Sequence, residues 1–181
     1  MQYLEQDILV RTQKWIKDVI IACNFCLFAA KPIREKKVHY RVEPSETLSI
    51  CLEAFLEECE RLEKTPSIET TFIVYPYTFQ NFEVYLEFVA LVDKLLQKHA
   101  YEGVYQVASF HPDYCFEGED PEDASNYTNR SIYPMLHILR EESITQALDT
   151  FQDPESIPER NIQFAREKGV AYMKMLRDAC L

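Results

Sequence analysis

The chain contains very little glycine. Gly103, Gly118 and Gly169 are the only three glycines in 181 residues, where average usage of ~7% would give about 13. The dinucleotide-binding fingerprint GxGxxG and the P-loop GxxxxGK[ST] both need closely spaced glycines, and these three are far apart in the sequence. The usual dinucleotide-binding and phosphate-binding loops are therefore excluded.

Positive charge and long apolar runs are also scarce. The chain has 19 basic and 30 acidic residues, a net charge of -11, which would repel a phosphate backbone, so we expect no nucleic-acid partner. The longest apolar runs, 19–23 and 25–30, are far below the ~18 residues that a membrane span needs. The acidic segment 1–7 is not typical of a signal peptide. We therefore expect a cytoplasmic protein with no membrane partner, and the sequence leaves open whether it forms a homo-oligomer.

The length and the apolar content indicate one folded domain that covers residues 1–181. At ~150 residues per domain, 181 residues correspond to about one domain. Hydrophobic residues make up 47% and aromatic residues 13% of the chain, which is typical of a globular protein rather than a disordered one.

Three segments rich in β-branched and aromatic residues predict strands at 38–42, 70–75 and 104–110. Apolar residues at three- and four-residue intervals predict one helix in each of the two connections between these strands. An order of strand, helix, strand, helix, strand favours a mostly parallel sheet with right-handed crossovers. The predicted fold is therefore α/β, with a small, mostly parallel sheet of about three strands flanked by helices.

Further helices are predicted at the two ends of the chain. Apolar spacing predicts a helix over the first two dozen residues. Pro134 is a favourable first-turn residue for a helix that reaches about Thr150. Ser156 and Glu159 have the spacing of a capping box and predict the start of a last helix. The last two would form a pair of C-terminal helices.

The densest polar cluster of the sequence follows the third strand. His111 comes directly after this strand, and ligands of open parallel sheets bind outside the carboxyl ends of the strands. Within the predicted helix, His137, Arg140 and Glu141 are spaced i, i+3 and i+4, so they would share one helical face. This cluster is the candidate site.

The first functional hypothesis is an enzyme or binding protein for a small anionic metabolite. Arginine side chains would hold the anion, asparagine amides would add neutral hydrogen bonds, and a histidine would transfer a proton, with Glu141 as a further catalytic carboxylate. The arginines are Arg130, Arg140 and Arg160, the asparagines are Asn126 and Asn129, and the histidines are His111 and His137.

Three alternatives compete with this hypothesis. In the first, His111, His137 and Glu141 form a two-histidine, one-carboxylate metal site of an enzyme. In the second, these side chains only stabilise a long loop, with Arg140 paired to Glu141 or to the acidic loop 115–125 and the histidines bonded to backbone. In the third, the protein is a non-enzymatic interaction module. The sequence identifies no cofactor and does not decide whether the protein is an enzyme.

Two segments resemble the signature of a bacterial domain-of-unknown-function family, number 1415. Residues 108–116 read ASFHPDYCF and residues 126–141 read NYTNRSIYPMLHILRE, where the family reads approximately ASFHPxYxF and NYTNRSPYPxLHLLRE. Agreement extends to further segments and covers most of the chain. Departures are Ile132 and Leu27, each of which stands where the family has proline. The family brings no established activity, so the resemblance implies one conserved domain whose signature coincides with the polar cluster.

Overall fold

A computed structural model of the protein describes residues 4–26, 28–149 and 153–181, except for the side chain of Pro154. Leu27 and Thr150, named above, lie outside the described residues. The helices are α1 Glu5–Trp15, α2 Ala30–Arg34, α3 Leu48–Lys64, α4 Phe82–Lys98, α5 Glu141–Leu148, α6 Ile157–Lys168 and α7 Val170–Asp178. The strands are β1 Val38–Val42, β2 Thr70–Val74, β3 Tyr105–Phe110 and β4 Met135–Arg140. None of the described helices is long and apolar enough to cross a membrane.

The strands form one mixed sheet in the order β1-β2-β4-β3. β1 and β2 are parallel, whereas β4 is antiparallel to both of its neighbours, β2 and β3. β3 therefore runs in the same direction as β1 and β2 but is paired with neither. The three predicted strands and the α/β class are confirmed. The prediction of a mostly parallel sheet of about three strands is wrong, because a fourth strand lies in the interior of the sheet.

The segment after Pro134 is this fourth strand and not the start of a helix. Met135 to Leu139 are all buried, and such a run, apolar except for His137, fits a buried strand as well as a buried helix segment. Backbone pairing with strands on both sides decides between the two. The helix begins only at Glu141, as α5.

The sheet is covered on both faces. On one face, α3 and α4 contribute Phe55 and Phe88 to a core with Ile73. On the other face, α1 and the helices α6 and α7 form a second core around Trp15, whose ring packs edge-on against Phe110 at 5.3 Å between centroids. Full burial of one such large side chain contributes about 1.5–3 kcal/mol. The two apolar faces therefore hold the helices on both sides of the sheet.

The first and last predicted helices differ in detail from the observed ones. Helix α1 continues as a π-helix over Ile16–Ile21, and its apolar stripe is buried as expected. The predicted last helix is interrupted at Gly169, which has φ 79°. This backbone conformation is favourable only for glycine, so the segment forms the separate helices α6 and α7.

Candidate functional site

His111 is buried directly after β3, and both of its ring nitrogens have backbone partners. Nε2 lies 2.8 Å from the carbonyl oxygen of Phe79, and Nδ1 accepts the N–H of Asp113 at 3.0 Å. The proton is therefore assigned to Nε2, which donates to Phe79. Burial lowers the pKa of His111 because the charged form is desolvated. His111 therefore links the loop after β3 to the segment between β2 and α4.

The two asparagines of the cluster also bond to the chain itself. Asn126 is fully buried; its side-chain oxygen accepts the N–H of Phe116 at 3.0 Å, and its amide donates to the carbonyl of Asp120 at 2.9 Å. The amide of Asn129 donates to the carbonyl of Ser109 at 3.1 Å. These bonds satisfy backbone groups that a loop would otherwise leave without partners.

Two of the predicted anion ligands, Arg130 and Arg160, use their guanidinium groups in the same way. Arg130 donates to the carbonyls of Tyr114 and Pro121 at 2.9 and 2.6 Å. Arg160 donates to the carbonyl of Asn24 at 2.5 Å. The three N–H groups that make these bonds are thus bonded to carbonyl oxygens of the fold.

His137 lies in the middle of β4 and is 2% exposed. Its Nε2 is 2.6 Å from the hydroxyl oxygen of Thr70, and this hydroxyl is 2.5 Å from the carbonyl oxygen of Ile138. Since the single hydroxyl proton donates to the carbonyl, Nε2–H of His137 donates to Thr70. Burial lowers the pKa of His137 to about 3, so the imidazole is neutral near pH 7.

Arg140 and Glu141 do not share a face with His137. Side chains alternate along a strand, so Arg140 points to the face opposite His137, where it donates to the carbonyls of Leu62 and Ile68 at 2.5 and 3.0 Å. Glu141 begins α5, and its N–H donates to the carbonyl of Val104 at 2.9 Å. The predicted helical face is wrong because the segment is a strand.

The structure places two of the predicted anion ligands, Arg130 and Arg140, toward opposite ends of β4. Arg130 precedes β4 and Arg140 is its last residue, and a strand of six residues spans about 17 Å. No group of three or more histidine, cysteine, aspartate or glutamate side chains suited to a metal ion occurs among the described residues. The described bonds of the cluster are therefore bonds within the fold, although Arg140 bonds to the carbonyls of Leu62 and Ile68 and not to Glu141 or the acidic loop, as the structural alternative expected.

A pocket of about 270 Å³ lies at the other end of the sheet, where β2 begins and β4 ends. α2 and α5 form its sides. Its apolar lining is Phe28, Pro32, Leu139, Ile144 and Ala147, and its polar lining is Lys31, Glu35, Glu69, Thr70, Arg140, Ser143 and Gln146. An apolar pocket with a few converging polar groups is the usual form of a small-molecule site.

Most polar groups of this pocket have partners in the chain. Lys37 pairs with Glu35 at 2.7 Å, and its hydrogen bond lowers the pKa of Glu35. The hydroxyl of Ser143 donates to one oxygen of Glu69. Lys31 makes no ion pair with any carboxylate in the part of the chain that the structure describes. Lys31 is exposed and its charge contributes to the lowered pKa of Glu35, but without a close ion pair its ammonium group can also contact a ligand in the pocket.

Sequence reasoning identified only Arg140 among the residues of this pocket. Leu139 and Arg140 stand in the signature at 126–141, which was the available signal for this pocket. Lys31, Glu69 and Ser143 stand in no motif. They become neighbours only when α2, the start of β2 and α5 meet.

The comparisons with known proteins assign the family and no activity. No curated protein and no solved structure matches the chain. The model of a family described as "Protein of unknown function (DUF1415)" matches residues 7–175. The segment that makes most of the hydrogen bonds described above, 111–133, lies within this match. The match covers more than half of the chain, so the protein belongs to this family.

Proposed function

We propose that the protein binds a small amphipathic anion in the pocket between α2 and α5. The observation that carries the proposal is Lys31, a cation without an ion-pair partner among the described residues, beside an apolar lining. A carboxylate on Lys31 and an aliphatic body on the lining would use both features. A small anion is also the ligand that the sequence predicted, but the proposed site is this pocket and not the polar cluster after β3.

Size and burial of the lining support a small ligand. Leu139 and Ile144 are each 8% exposed, and Pro32 is also buried. Pockets for drug-sized molecules are about 300–1,000 Å³, so a volume of about 270 Å³ suits a small metabolite. Apolar area removed from water contributes about 25 cal/mol per Å², which gives the aliphatic part of such a ligand most of its affinity.

The pocket supports binding more directly than catalysis. Its described lining contains no histidine or cysteine, and the hydroxyls of Thr70 and Ser143 both donate to acceptors within the chain. His137 lies behind Thr70 as a neutral, buried ring. The interaction-module alternative stays a prediction, with exposed apolar side chains on several helices.

Calorimetry with 4-methylpentanoate and its uncharged amide tests the proposal. We expect saturable binding of the carboxylate, weaker binding of the amide, and a roughly twofold to fivefold loss of carboxylate affinity in Lys31→Gln, the scale of one exposed ion pair. Lys98→Gln, on α4, is the matched control and should bind like the wild type. Absence of carboxylate binding in the millimolar range, or equal effects of the two variants, contradicts the proposal.

A further inference from the structure

The pocket contains a second unpaired charge, of the opposite sign to Lys31. Glu69 stands one residue before β2, and no lysine or arginine in the described part of the chain forms an ion pair with it. The nearby Lys37 forms its ion pair with Glu35 instead. The remaining cation of the lining, Arg140, donates to two backbone carbonyls. Among the described residues of the lining, Lys31 and Glu69 are thus two side chains of opposite charge that make no close ion pair, although Lys31 acts on Glu35 through space and Glu69 on Lys37.

The carboxylate of Glu69 is oriented by the fold. The hydroxyl of Ser143, on α5, donates to Oε1, and the backbone N–H of Glu69 donates to the carbonyl of Lys37 at 2.8 Å. Oε2 has no hydrogen-bond donor among the described residues. An anchored carboxylate with one oxygen available is a good acceptor for a ligand ammonium group.

A simple anion would bind through Lys31, but Glu69 would weaken its binding. A carboxylate bound to Lys31 would share the pocket with the carboxylate of Glu69, and like charges repel in a partly desolvated site. A ligand that also carries an ammonium group removes this repulsion and adds a second ion pair. An α-amino acid has both charged groups on one carbon and a side chain for the apolar lining.

We infer, on the basis of the proposed function, that the ligand of the pocket is a zwitterion of the α-amino acid class with a small apolar side chain. Lys31 binds the carboxylate, Glu69 binds the ammonium group, and the lining around Leu139 and Ile144 contacts the aliphatic side chain. The pair of charges gives the site its preference for amino acids over simple carboxylates or amines.

Calorimetry with three isosteric ligands tests this inference: L-leucine, 4-methylpentanoate without the ammonium group, and 3-methylbutan-1-amine without the carboxylate. We expect leucine to bind the wild type about tenfold more tightly than either analogue, the scale of one good charged contact. Glu69→Gln keeps the hydrogen bond from Ser143 and should weaken leucine binding while it strengthens binding of 4-methylpentanoate. Glu87→Gln, on the exposed side of α4, is the charge-matched control.

The outcomes separate this inference from the proposed function. If 4-methylpentanoate binds through Lys31 as tightly as leucine, and Glu69→Gln changes neither affinity, the zwitterion is wrong and the anion site stands. If neither leucine nor 4-methylpentanoate binds, or if Lys31→Gln changes neither affinity, the proposed function itself is wrong. The inference is then wrong as well, because it rests on that function. If Glu69→Gln weakens leucine binding and strengthens 4-methylpentanoate binding, the result supports both the proposed function and this inference.

Discussion

The imidazole of His137 lies flat on the ring of Phe72, with 3.8 Å between the ring centroids and 10° between the planes. The two residues are directly opposite each other in the antiparallel pair of β2 and β4. Tyr40, in the same row on β1, stacks on Phe72 at 5.7 Å. The row therefore joins three neighbouring strands, and it exists because β4 lies beside β2. Two of its consequences, burial and a lowered pKa of His137, can be measured.

We predict that stability falls with acid because of His137. Its pKa in the folded protein is about 3, below the value of about 6.5 for an unfolded histidine. A depressed histidine pKa gives stability that is complete above about pH 6.5 and is lost as the pH falls toward 3. Between pH 7 and 5 the loss amounts to about 2 kcal/mol.

The measurement is the free energy of unfolding in urea at pH 7 and pH 5. His137→Leu should show a smaller loss between the two pH values than the wild type, whatever its stability at pH 7. His99→Gln, at an exposed position, should keep the wild-type loss. An identical loss in the wild type and in His137→Leu would show that His137 is not the group responsible.

We predict that Asn126 is a main anchor of the loop after β3. Asn126→Ala leaves the N–H of Phe116 and the carbonyl of Asp120 without their present partner. Because Phe116 is half-buried and Asp120 is exposed, water can replace part of these bonds, and the expected loss in unfolding free energy is about 0.5–1.5 kcal/mol per hydrogen bond, with faster amide exchange across 111–133. Gln163→Ala, exposed on α6, is the control. A stability equal to that of the control would contradict this role.

We predict that one substitution, at Ala100, makes the protein more stable. Ala100 has φ 58° at an exposed position after α4, a left-handed conformation that costs a residue with a Cβ about 1–2 kcal/mol. Glycine removes this cost but adds about 0.5–1 kcal/mol of chain entropy. We therefore expect Ala100→Gly to be more stable by about 0.5 kcal/mol, the difference of these two estimates.

The matched control for Ala100→Gly is Ala90→Gly, at an exposed position inside α4. There the same substitution should destabilise by about 1 kcal/mol, because glycine is a poor helix former. Chemical denaturation of both variants measures the two effects. Destabilisation by both substitutions would show that the conformation of Ala100 carries no strain.

We predict that Arg166 keeps the pKa of Asp123, in the acidic loop 115–125, below its ordinary value. Arg166 contacts Glu119 and Asp123 at 2.8 and 3.1 Å. Its hydrogen bond to Asp123 is the largest of the causes that lower the pKa of this carboxyl to about 2. In Arg166→Gln the pKa of Asp123 should move toward its ordinary value, as seen by NMR titration of the side-chain carboxyl. Lys98→Gln controls for the change in net charge. An unchanged titration of Asp123 would contradict the ion pair.

Local sequence predicted the elements whose signal is local. β1, β2 and β3 are β-branched and aromatic runs, and Pro76 and Gly103 flank two of them. β4 was missed because Met135 to Leu139, apolar except for His137, has no period that separates a buried strand from a helix. The break at Gly169 was a readable signal, since glycine at φ 79° ends a helix.

The candidate site, like the fold, could be predicted from the sequence only in part. The signature at 108–116 and 126–141 correctly indicated the family and an ordered loop, and its side chains bond mostly to backbone. The sequence alone determined the α/β class, three of the strands and the family, since these depend on neighbouring residues. Only the tertiary structure decided that β4 separates β2 from β3, and that Lys31, Glu69 and Ser143 share a pocket. Those relations depend on contacts between distant segments, which no local pattern of residues encodes.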